Sequence, residues 1–255
     1  MIVMEEQLTL EEMLREGVIR DPETSSQQLL WAAEQGDVPS LLQLLESGAS
    51  FVVDAEGQTV LHTAARAGQT ATVAALLDRG CDSNVLDMRG RTALQLAAGG
   101  GHMEMVALLL QAGATVDHQD EVERDTAVHA ASRAGYSRCL ELLCKERANL
   151  YMKNRGGATA LHLCCQAGHN QCCRLLLGHG VRTEVKNNFG DGPLHTAARY
   201  QVPGTRYYSC CRYGHAGVTR ILLSAQCKAS IQNKVVIISY ITSLHLLRMG
   251  ILPCI

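Results

Sequence analysis

Thr59-Val60-Leu61-His62 recurs along the chain as Thr92-Ala93-Leu94-Gln95, Thr126-Ala127-Val128-His129, Thr159-Ala160-Leu161-His162 and Gly192-Pro193-Leu194-His195. The steps between first positions are 33, 34, 33 and 33 residues, and a fixed period outranks any local signal in deciding a fold. Glycine stands two residues ahead of the motif at Gly57, Gly90, Gly157 and Gly190. It stands again six residues after the fourth motif position, at Gly68, Gly101, Gly135 and Gly168. An apolar run such as Val106-Ala107-Leu108-Leu109-Leu110 follows, closed by Gly113-Ala114 or a relative of it.

Each feature has a physical reading. The threonine begins a helix and its hydroxyl caps free N–H groups. Leu61, Ala64 and Ala65 face inward, the alanines letting neighbouring helices approach closely. Gly68 ends the short helix by taking a left-handed backbone. A second helix over about 70–78 buries Val73, Leu76 and Leu77 at helical spacing. Gly80 ends it, and the chain extends through Asn84 to Asp87 into a turn that enters the next unit. No unit hides its apolar face alone, so several must stack into a solenoid.

These residues resemble the ankyrin family, whose 33-residue period and Thr-Pro-Leu-His signature they match. The resemblance covers roughly residues 26–234 and implies an all-α ankyrin-repeat solenoid of about six stacked helix-turn-helix units with turn fingers. The first unit lacks the signature: Leu29-Leu30-Trp31-Ala32-Ala33, Gly36, Leu41-Leu42-Gln43-Leu44-Leu45 and Gly48-Ala49 read as an N-terminal cap. Ahead of it, Thr9-Leu10-Glu11-Glu12 reads as a capping box of a short helix ending near Gly17, with Pro22 in a linker, so residues 1–25 stand apart.

Two stretches break the period. Gly214 arrives 13 residues late after His195, and deleting 201–213 restores Ala198-Arg199-Tyr200 running into Gly214-His215. An insertion loop between two helices is one reading. After Lys234 the chain turns apolar from Val235 to Ile255, where a further unit is due. Arg248 and His245 inside that tail disfavour a membrane anchor. Both segments start near a Gln-Val or Lys-Val pair, as a splice donor read in frame encodes, and we read them as translated intron.

Composition limits the function classes. Hydrophobic residues make up 47% and aromatics 4%, which suits a thin slab of Leu, Ala and Val better than a deep core. The formal charge of −2 lacks the basic balance of a nucleic-acid protein. Eleven cysteines without a CxxC pair or regular spacing, and an N-terminus that turns acidic at Glu5-Glu6, fit a reducing, cytoplasmic location, with the nucleus as a second.

Catalysis has no candidate. Of 10 histidines, His62, His129, His162 and His195 occupy the motif and His102, His169 and His215 follow the turn glycine. They line up one unit apart and do not converge on a substrate. The cluster His162, Cys164, Cys165, His169, Cys172 and Cys173 is read as small apolar filling, since adjacent helix residues point apart and zinc needs four ligands converging. Gly99-Gly100-Gly101-His102 follows a helix and precedes no Lys-Ser or Lys-Thr, so it is not a phosphate loop. We expect no enzyme, cofactor or metal.

What stacking leaves free is the turn tips and the exposed face of the first helices. Tips carry Met88, Arg89, Arg91, Glu121, Glu123, Arg124, Asp125, Arg155, Phe189 and Asp191; the inner face carries Arg66, Arg133, Gln166, Arg199 and Tyr200. Arginines and exposed rings most often anchor interfaces, and Phe189 is the foremost of them, although charges at tips are commonly plain solvated surface. The resemblance implies another protein as ligand, with no nucleic acid or membrane and a monomeric array, hence an adaptor or scaffold. A substrate-recognition arm of a ubiquitin ligase or other enzyme complex is the alternative, as is a truncated product of a mis-spliced transcript.

Overall fold

The computed structural model describes residues 25–46, 53, 57–193, 196–197 and 216–225. The capping helix expected before Pro22, the insertion at 201–213, Arg199, Tyr200 and the tail after Lys234 lie outside the described residues.

Paired helices follow one another along the chain: α1 (Ser25–Gln35) and α2 (Val38–Glu46), α3 (Val60–Ala67) and α4 (Thr70–Asp78), α5 (Ala93–Gly100) and α6 (Met103–Gln111). The same pairing continues with α7 (Ala127–Ala134) and α8 (Ser137–Lys145), then α9 (Ala160–Ala167) and α10 (Asn170–Gly178), and α11 (Ala216–Ser224) packs on α10. First helices touch first helices, in the order α1, α3, α5, α7, α9; second helices touch second helices, in the order α2, α4, α6, α8, α10. The array is therefore two parallel layers of helices, an all-α repeat solenoid.

One continuous slab forms the core. The paired small residues Ala64-Ala65, Ala97-Ala98 and Cys164-Cys165 are fully buried, as are Val73 and Leu76 of α4. Thr72 completes the buried face of α4, while Leu77, expected inside, is only half-buried. The cysteines behave as core: Cys164, Cys165, Cys172 and Cys173 have no exposed surface, and Cys165 Sγ lies 4.0 Å from Cys173 Sγ. Burial pushes the Cys164 thiol far up, and mutual thiol contacts do the same for Cys172. Among the described residues, no group of three or more His, Cys, Asp or Glu is arranged to hold a metal ion.

Each motif threonine and its fourth-position partner make a capping box. In α9 the Thr159 N–H donates to His162 Nδ1 at 3.2 Å and the hydroxyl approaches the same nitrogen at 2.9 Å. A nitrogen that accepts a backbone N–H is unprotonated, so the proton sits on Nε2. Nε2 then donates to the Asp191 carbonyl of the next unit at 3.1 Å. His62 and His129 repeat the arrangement onto Arg91 and Ala158 carbonyls. Gln95 serves the same ends by other atoms: its Oε1 accepts the Thr92 N–H at 2.8 Å and its amide donates to the Asp125 carbonyl.

The fourth unit, with Thr126, departs from its neighbours at two backbone positions. Arg124 has φ 56° where the other units place Gly57, Gly90, Gly157 and Gly190, and Arg147 has φ 58° where they place Gly80, Gly113 and Gly180. A left-handed backbone strains a residue with a Cβ and suits glycine. Arg147→Gly is expected to stabilise the array by about 1 kcal/mol, and Arg124→Gly by somewhat less, because the Arg124 guanidinium also bonds Gln119. Urea unfolding of the two variants measures this; an unchanged or lower midpoint for Arg147→Gly contradicts it.

Candidate functional site

Among the described residues, four turns between units are fingers, each closed by one side chain. Asp87 Oδ1 accepts the N–H groups of Arg89 and Arg91 at 2.9 and 2.8 Å. Asp120 accepts from Val122, Glu123 and Asp125, Asn154 from Gly156 and Ala158, and Asn187 from Phe189 and Asp191. These residues hold their own backbone two to five positions on, which fixes the tip without helix or sheet. Successive fingers also bond edge to edge: the N–H of Glu121 donates to Arg89, Arg155 to Glu123 and Asn188 to Gly156. The fingers form a ribbon beside the inner helices, and the angle between ribbon and helices is a groove.

Six of the expected contact residues line that groove together: Arg66, Arg89, Arg91, Glu123, Asp125 and Arg133. Their charges are not equally available. The Arg91 guanidinium sits 2.7 Å from the Asp87 carboxylate and Arg133 lies 2.5 Å from Asp125, so each is matched within the fold. No carboxylate among the described residues pairs with Arg66 or Arg89. Both are exposed.

At the tips, Phe189 and Met88 are the most exposed large apolar side chains, at 75% and 71%. Met88 and Glu121 also serve the stack, because each lies over the turn glycine of the preceding finger, Gly57 and Gly90. Arg155 donates to the Val122 carbonyl, tying two fingers. Arg124 is exposed but bonded to Gln119 across its own turn.

Asp191 corrects an expectation. It was expected at the surface of a tip, but it is only 3% exposed. Its N–H is held by Asn187 and its carbonyl receives both His162 and the Asn187 N–H. Asp125 is likewise buried, between Arg133 and Asn154. The last residue of a finger faces the helices, and alternation along a turn of five or six residues does not reveal that. Sequence reading also missed Leu96, Gly99 and Ala130, which floor the groove. The signal was present as Gly99 standing in line with Arg66 and Arg133.

A two-layer helical solenoid edged by turn fingers defines a repeat protein whose open surface is a groove and a row of tips. The family model for ankyrin repeats matches residues 29–120, 76–154 and 128–235, and the chain belongs to the ankyrin-repeat family. Ankyrin repeats are generally protein–protein interaction modules and typically not enzymes. Among the described residues, no helix is long and apolar enough to cross a membrane.

Proposed function

We propose that this array is an adaptor or scaffold that holds a protein partner against the groove and finger tips. One observation supports it most: Arg66 and Arg89 point unmatched charge into a groove that runs from unit to unit beside exposed tip residues. Arginine and aromatic anchors of this kind carry most of the binding energy in protein interfaces. The stretch Lys186-Asn187-Asn188-Phe189-Gly190-Asp191, with Leu194-His195-Thr196-Ala197-Ala198-Arg199-Tyr200 after it, resembles the ankyrin region of diversin. Diversin is a cytoplasmic scaffold of Wnt and planar-polarity signalling, and that role and location are the ones we carry over.

Affinity purification from cytoplasmic extract with the full chain tests the reading. Arg66→Ala, Arg89→Ala and Phe189→Ala are expected to lose partners that the parent chain retains, with the helical circular-dichroism signal unchanged. Arg91→Ala is a poor probe, since it would leave the buried Asp87 carboxylate uncompensated. Identical partner sets in all three variants would remove the surface assignment.

A further inference from the structure

We infer that the groove contains a specific subsite over Gly99, built to take a bulky apolar side chain of a partner segment whose neighbouring residue is acidic. The inference rests on the binding role proposed above and names what the groove selects. In the last turn of the inner helices, equivalent positions carry Arg66, Gly99, Arg133 and Gln166. α5 therefore lacks a side chain where both neighbouring helices have a guanidinium. The gap opens into a concavity of about 470 Å³ that reaches from Arg66 to Arg133, inside the roughly 300–1,000 Å³ range of ligand sites.

Its floor is apolar, made by Leu96, Gly99 and Ala130, and a Cβ built on Gly99 meets only the Ala130 Cβ at 3.6 Å. Nothing in the stack requires glycine there: its φ is ordinary and the space is open. Glycine inside a helix weakens the helix and generally answers a packing or functional need. Filling the notch from outside is the need that remains. The rim sets the charge of the filler's neighbour. Arg91 and Arg133 are matched by Asp87 and Asp125, and the Asp120 carboxylate accepts three N–H groups of its own turn. Outside these bonded groups the lining holds two cations, Arg66 and Arg89, against the one carboxylate of Glu123, an excess of positive charge for a carboxylate from outside, beside an apolar floor.

A phage library of random dodecapeptides, selected on the full chain, tests this. The parent chain is expected to enrich peptides with Asp or Glu adjoining Phe, Tyr, Trp, Leu, Ile or Met. G99R places at this position the residue its neighbours already carry, so it should melt at or above the parent temperature. It should nevertheless weaken the selected peptides by about tenfold or more. The double charge reversal R66E/R89E should weaken them as well, and favour peptides with Lys in place of the acid. No enrichment, enrichment without the acid–apolar pairing, or unchanged affinity in G99R overturns the subsite. If peptides lost in F189A bind G99R normally, the wider binding role stands and the notch alone falls.

Discussion

Replacing His162 with alanine is expected to lower unfolding free energy by about 3 kcal/mol at neutral pH, while His162→Gln costs under about 1 kcal/mol. The imidazole satisfies Thr159 N–H on one side and the Asp191 carbonyl on the other, in a site 1% exposed. Alanine leaves both groups buried without a partner. Glutamine has an acceptor and a donor on one end, and Gln95 already performs both tasks in the third unit. The parent chain and His162→Gln respond differently to acid. Burial lowers the His162 pKa from 6.5 to about 4, so the folded chain holds the ring uncharged while the unfolded chain takes up a proton. Stability from this group is fully present above pH 6.5, falls as the pH drops toward 4, and the loss then levels at about 3 kcal/mol. His162→Gln has no such proton to take up. In urea titrations at neutral pH and at about pH 4.5, it should overtake the parent chain as acid is added. A constant difference between the two across that window would mean that the ring is not held neutral by the fold. Burial also lowers the pKa of His62 and His129, which adds acid sensitivity of the same sign in their own units.

Gly135→Ala should be nearly as damaging, at about 2–3 kcal/mol, whereas Gly113→Ala should cost only about 1 kcal/mol. Both glycines have a left-handed backbone, at φ 86° and 83°. Their surroundings differ. A Cβ on Gly135 would lie 2.6 Å from the His169 ring, and that ring is pinned by Nε2 donating to the Arg133 carbonyl at 3.0 Å. A Cβ on Gly113 meets nothing within 4 Å. The difference between the two variants isolates the close approach of one unit to the next from backbone strain, which they share. Equal midpoints in urea would show that the His169 ring yields freely. Gly101, under Tyr136, and Gly68, under His102, stand in the same relation.

The stacking was legible in the sequence because its causes repeat. Thr59 and His62, the alanine pair and Gly68 each meet one local requirement, and the requirement returns about thirty-three residues later with the same residue types. His62, His129 and His162 serve the repeat as their spacing implies, and the cysteine cluster is filling, because sulfur at an alanine position is explained by volume alone. Features that depend on exceptions were harder. Arg124 and Arg147 occupy glycine positions, so periodicity marks them as substitutions without showing that the backbone keeps its left-handed form. Arg91 and Asp191 sit in fingers whose side chains alternate between solvent and helices, and the half-burial of Arg91 and burial of Asp191 depend on the Asp87 and Asn187 side chains pulling the turn closed. Gly99 read as part of a glycine run to be dismissed as a phosphate loop. Its meaning needed the neighbouring helices beside it, since an empty space belongs to no single stretch of chain.

The bonds from His62, His129 and His162 all run the same way, each from one unit to the finger of the unit after it. The stack consequently has a sense of direction, like a row of shingles. Peeling a unit from the C-terminal side exposes a neutral ring that water can accommodate with little rearrangement. Peeling one from the N-terminal side strips the clasp from the next finger, and also removes the carbonyls that finger donates to, as Asn188 N–H does to Gly156.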